Sequence, residues 1–145
     1  MDKAKIKELR EHGKCFISPV GISMRPLFES GRSIVEIRPI HGDPLPMDVV
    51  LYDGGDVGIL HRVIRMEGDT CIILGDNCVR YERVARSRLM GRMVSFYRGG
   101  KWYKITYPPY LIYSIVWTHT RSIRIFVKRC MGFAKRHLKK LISHK

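Results

Sequence analysis

Val57-Gly58-Ile59-Leu60-His61-Arg62-Val63-Ile64-Arg65-Met66, the cluster Glu67-Gly68-Asp69 and the run Thr70-Cys71-Ile72-Ile73-Leu74 decide how this chain folds. The flanking runs are short, apolar and rich in β-branched residues. The cluster between them holds a glycine and two acids, residues that favour turns. Read outward from there, the same grammar repeats. Strands are predicted at 15–20, 33–38, 49–52, 57–66, 70–74, 91–97 and 102–105. They are punctuated by Gly31, His41-Gly42-Asp43-Pro44, Asp53-Gly54-Gly55-Asp56, Gly75-Asp76-Asn77 and Gly99-Gly100. This predicts a mainly β, mostly antiparallel domain.

Beyond Pro108-Pro109 the period changes from two to that of a helix. Ile112, Ile115, Val116, His119, Ile123, Phe126, Val127, Cys130, Phe133, Ala134, Leu138, Leu141 and Ile142 fall on one stripe. Arg121, Arg124, Lys128, Arg129, Lys135, Arg136, Lys139 and Lys140 mostly lie off it. A basic amphipathic helical tail is predicted, with Thr118-His119-Thr120 and Gly132 as places for a bend. Residues 3–12 predict a short helix with Ile6 and Leu9 on one side. The expected division is an N-terminal segment at 1–14, a β catalytic domain at 15–107 and the tail at 108–145.

With 145 residues, 45% hydrophobic and 28% charged, the composition suits one globular domain with an appendage and excludes a disordered chain. The net charge of +14 is unevenly spread. Residues 1–82 hold eleven Lys/Arg and all thirteen Asp/Glu, whereas residues 83–145 hold sixteen Lys/Arg and no carboxylate. That half suits a polyanion: phospholipid headgroups, nucleic acid or an acidic protein. Three readings of the tail stay open: a helix packed by its apolar stripe on the β-domain, an interfacial membrane helix, or a docking element for nucleic acid or protein. No helix-turn-helix or stacking motif accompanies the charges, so nucleic acid is not the expected partner.

The first ten residues carry no apolar run of the secretory kind, and the longest apolar stretch, 110–117, is far below the ~20 residues of a spanning helix. The expected location is the cytoplasm, with the basic tail offering contact with the inner membrane surface. Cys15, Cys71, Cys78 and Cys130 show no Cys-x-x-Cys spacing, and with that location they are expected to be reduced thiols without a metal.

Two fragments suggest chemistry. Gly21 and Pro26 bracket Ser23, so the chain can turn sharply there, present the hydroxyl at a strand end and leave the Ser23 amide free as an oxyanion donor. His61 places an imidazole inside an apolar strand, with a near-neutral pKa suited to general-base work. Arg62 is predicted on the opposite face. Each fragment also has a plain structural reading, a serine satisfying a turn and a histidine hydrogen-bonded in a core. Asp76, in an acidic turn, has its own as a local cap.

The ordered set Gly21-Ile22-Ser23-Met24-Arg25-Pro26, Leu60-His61-Arg62-Val63-Ile64, Ile73-Leu74-Gly75-Asp76-Asn77 and Gly91-Arg92-Met93-Val94 resembles the signal peptidase I superfamily of β-fold serine peptidases, which includes the self-cleaving SOS-repressor peptidases. The likeness covers roughly residues 15–106. Histidine at position 61 is similar to the endoplasmic-reticulum and archaeal type of signal peptidase rather than to the lysine-based bacterial type. The resemblance implies Ser23 as nucleophile, His61 as base and either Asp76 or Glu82 as the acid orienting it, with Gly21, Met24 and Pro26 along the substrate groove. Asp76 has the intact Gly-Asp-Asn context. It also implies an extended leader or precursor peptide with small side chains at the first and third positions before the cut, and no metal or organic cofactor. Departures are Gly21, where relatives often carry a serine, and Gly31-Arg32 and Met47-Asp48, where Gly-Asp pairs are expected. A non-catalytic peptide-binding member of the same fold is the alternative.

Overall fold

The computed structural model describes residues 3–143, with side chains for residues 5–135. Helix α1 (Lys3–His12) precedes eight strands: β1 (Cys15–Ile17), β2 (Ile34–Arg38), β3 (Val49–Asp53), β4 (Gly58–Glu67), β5 (Thr70–Leu74), β6 (Glu82–Ala85), β7 (Leu89–Arg98) and β8 (Lys101–Lys104). Helices α2 (Pro108–His119) and α3 (Arg121–Ser143) follow. All strand pairs are antiparallel and form one sheet in the order β1-β2-β7-β3-β4-β5-β6, with β8 also pairing β7. The mainly β architecture with a helical tail is as the sequence predicts.

The apolar runs on either side of Glu67-Gly68-Asp69 form the β4–β5 hairpin, with Glu67 opposite Thr70. Strand β3 explains the fold's depth. Val49 and Leu51 pack into one core with Leu60, Met93 and Phe96, while Val50 and Tyr52 point the other way, into a second core with Val63, Cys71, Ile73 and Val84. A strand covered on both faces reads as a continuous apolar run, which is what Val49-Val50-Leu51-Tyr52 is. Leu9 of α1 and Tyr110 of α2 belong to the first core, so these helices complete it.

Strand β6 is absent from the sequence expectation. Only Val84 of Glu82-Arg83-Val84-Ala85 is buried, because β6 is the edge of the sheet, so no apolar alternation marks it. Its pairing nevertheless matters for chemistry, since Glu82 stands opposite Ile73.

The tail breaks at Thr120 rather than at Gly132, and Pro108-Pro109 begin α2, where a missing N–H costs nothing. Its packing corrects the first of the three tail readings. Helix α3 turns its cationic side inward: Arg124 donates to the Asp76 carbonyl (2.8 Å) and Lys128 to the Asn77 carbonyl (2.6 Å), while the Arg124 guanidinium lies 3.9 Å from the centre of the Trp117 ring. The apolar stripe faces outward, with Ile123 and Phe126 each two-thirds exposed. Backbone carbonyls of a tight turn are better satisfied by cations than by Phe or Ile, so the polar side wins the contact. Leu138, Leu141, Ile142, Arg136, Lys139 and Lys140 lie outside the residues with described side chains. Among the described residues, no helix is long and apolar enough to cross a membrane.

Candidate active site

Strand register assembles the site. Val50 pairs with His61, Val63 with Ile73, and Ile73 with Glu82, so His61 and Glu82 share the face that carries Tyr52. His61 Nδ1 lies 3.1 Å from Glu82 Oε1, and the Tyr52 hydroxyl donates to Glu82 Oε2 at 2.5 Å. The same hydroxyl is 3.4 Å from Nδ1, a weaker contact. With Nδ1–H donating to the carboxylate, the lone pair of the neutral ring is on Nε2.

Nε2 lies beside the Gly75 turn that carries the serine loop. A Cβ added to Gly75 would sit 2.8 Å from His61 Nε2, 2.8 Å from the Ser23 carbonyl oxygen and 2.7 Å from Cys78 Sγ. The Ser23 backbone carbonyl and the His61 ring therefore flank one position that only glycine can occupy. The Gly75-Asp76-Asn77 turn holds the serine loop: Asn77 N–H donates to the Ser23 carbonyl (2.7 Å), and the Asn77 side-chain amide donates to the Ile22 carbonyl (3.0 Å).

Upstream, Gly21 has a φ of 102°, which disfavours any side chain, and its N–H is held by Ser30 Oγ at 2.9 Å. Arg25 N–H closes a turn onto the Ile22 carbonyl, and Phe28 N–H onto that of Met24. The Ser23 N–H has no acceptor among the described residues, as an oxyanion donor requires. The Arg25-Pro26 peptide is cis.

Ser23 and His61 line one groove of about 720 Å³ whose walls include Ile17, Gly21, Met24, Gly58 and Leu60. Gly21 and Met24 border this groove, although Met24 is largely buried in the core beneath. Pro26 does not line the groove.

Burial pulls the His61 pKa down, partly offset by the charges of Glu82 and Asp76, and the net direction is below the ordinary 6.5. The ring is consequently neutral near pH 7, the form a base needs. Burial and the hydrogen bond to Glu82 both raise the Tyr52 pKa, keeping its hydroxyl a donor.

Of the two candidate acids, the structure brings only Glu82 onto His61. Asp76 faces the other way and makes a two-pronged ion pair with Arg62, 2.7 Å on each prong, with both side chains almost wholly buried. The Tyr113 hydroxyl also donates to Asp76 (2.8 Å), while Arg62 reaches the Met47 carbonyl and Ser114 Oγ. Burial opposes the Arg62 charge, but Asp76 outweighs it and leaves the guanidinium pKa raised. Of the alternatives Asp76 and Glu82, the one with the intact Gly-Asp-Asn context is thus the one that anchors Arg62. Arg62 alternates with His61 along β4, and Asp76 follows Arg62 to that face.

Met47 has a φ of 77°, the left-handed region that favours glycine. Tyr52 was missed by the sequence reading; its alternation with Val50 in a strand beside His61 was the available signal. The four cysteines are free, and among the described residues no cluster of three or more His, Cys, Asp or Glu could hold a metal. No protein family, curated protein or solved structure matches the chain.

Proposed function

We propose that the chain is a serine endopeptidase in which Ser23 is the nucleophile, His61 the general base and Glu82 the orienting acid. One observation carries the reading: a neutral, buried imidazole, held at Nδ1 by a carboxylate, has Nε2 beside the turn that carries the serine loop, and both residues line one groove. In this reaction Ser23 Oγ attacks the scissile carbonyl as His61 Nε2 takes its proton, and the Ser23 N–H donates to the developing oxyanion. Collapse expels the amine with that proton. Water then hydrolyses the ester by the same route.

The groove suits an extended peptide lying beside the chain near Ile17 and Gly58, as a leader or precursor segment would. Small side chains at the first and third positions before the cut are the specificity that goes with the sequence resemblance. A fluorogenic peptide library tests the reading, with turnover expected for the wild type and a loss of about a thousandfold or more for Ser23→Ala and His61→Ala. Peptide binding without turnover in all three proteins would instead identify a non-catalytic groove.

A further inference from the structure

The outward stripe of α2 and α3 is the largest feature the peptidase reading leaves unused. Ile112, Ile115, Val116, Ile123, Phe126 and Phe133 are each between 47% and 67% exposed. Ile112, Ile115 and Val116 fall at i, i+3 and i+4 on α2, opposite its buried Tyr110, Ser114 and Thr118, and Ile123, Phe126 and Phe133 fall at i, i+3 and i+10 on α3, so each helix presents one apolar face to solvent. The opposite side of α3 is committed to the sheet through Arg124, Ile125 and Lys128. Rolling the helix over to bury the stripe would break those bonds.

We infer that this stripe is an interfacial docking surface for an anionic lipid membrane, and charge selects that occupant. From residue 83 to the end the chain has sixteen Lys/Arg and no Asp/Glu. Eight of those cations belong to α3; Arg124 and Lys128 are committed to the Gly75-Asp76-Asn77 turn, while Arg129 and Lys135 are exposed and remain open to headgroups. A second copy docked through the same stripe would bring two such helices together with no carboxylate between them. Nucleic acid would satisfy the cations and leave the Phe and Ile side chains in water. An acidic headgroup layer over acyl chains satisfies both.

Because the inner side of α3 is bonded to the Gly75-Asp76-Asn77 turn, docking also sets the Ser23 groove close to the lipid surface. That last consequence rests on the proposed function; the docking itself does not.

Flotation with phosphatidylcholine vesicles, with and without phosphatidylglycerol, tests the inference on the full chain. The wild type is expected to float with the anionic vesicles at low salt, to be released by high salt, and to partition at least about tenfold less onto neutral ones. Ile123→Glu/Phe126→Glu should lose roughly tenfold or more, and Ile115→Glu on α2 should lose less. These side chains are exposed, so an unchanged thermal midpoint is expected for all of them. Ser23→Ala should float like the wild type, which separates this result from the fate of the peptidase reading. No flotation with anionic vesicles, equal flotation by the folded variants, or a dimer abolished by Ile123→Glu/Phe126→Glu would each overturn it.

Discussion

The two faces of β4 carry adjacent residues to opposite ends of protein chemistry. On one face His61 is neutral, meets a partly exposed Glu82 at the sheet edge and opens onto a groove. On the other, Arg62 is charged, meets a wholly buried Asp76 and is sealed by Tyr113 and Ser114 of α2. Each face pairs a base with an acid. The pair that borders the groove is the one the proposed reaction would use to move a proton, whereas the sealed pair is fixed and serves as a bolt between sheet and helices.

The largest effects are expected when either acid loses its charge. Glu82→Gln removes the acceptor that fixes the His61 tautomer, so kcat should fall by about a hundredfold to ten-thousandfold while urea denaturation shows a change within ~1 kcal/mol. Asp76→Asn should do the reverse. It leaves a buried guanidinium without its countercharge, and a loss of roughly 3–5 kcal/mol is expected in the same denaturation. Activity per folded molecule should suffer much less than in Glu82→Gln. If Asp76→Asn abolished turnover in fully folded protein and Glu82→Gln left it intact, the assignment of the two acids would be reversed.

Gly75→Ala sharpens the same contrast at the turn joining the faces. The new methyl collides with His61 Nε2 and with the Ser23 carbonyl, a backbone atom that cannot swing aside. Turnover should drop by about tenfold or more, with a loss of around 1–3 kcal/mol in stability. Tyr52→Phe is the mildest change. It deletes one hydrogen bond to the Glu82 carboxylate, and about a tenfold fall in kcat with KM unchanged is expected.

Much of this was legible before any coordinates. The short apolar, β-branched runs between turn clusters from Val49 to Leu74 mark the strands, and Ser23 and His61 stand out as polar groups in places otherwise apolar or tightly turned. What escaped the sequence has physical causes. Edge strand β6 buries one side chain, so Glu82 looked like a loop residue, and its opposition to Ile73 is a matter of register that no local pattern encodes. Asp76 looked catalytic because a Gly-Asp-Asn turn names a position and not a partner. The helical stripe was read correctly as amphipathic, but which side turns inward depended on turn carbonyls far away in sequence.

The decisive measurement is the pH dependence of Ser23 phosphonylation by a serine-reactive fluorophosphonate, in which Oγ bonds to phosphorus as fluoride leaves, mapped by peptide mass spectrometry. The base acts when His61 is neutral, so the rate should fall as pH drops through a lowered pKa, giving an acid limb below the ordinary ~6.5. Glu82 favours the protonated ring, so Glu82→Gln should push that limb still lower while slowing the plateau. The burial that depresses this pKa also predicts that folded stability declines as pH falls below ~6.5, where the unfolded histidine binds its proton first. Labelling confined to Ser23 with this acid limb is the predicted result; no labelling at Ser23, or a rate unchanged by His61→Ala, would contradict it.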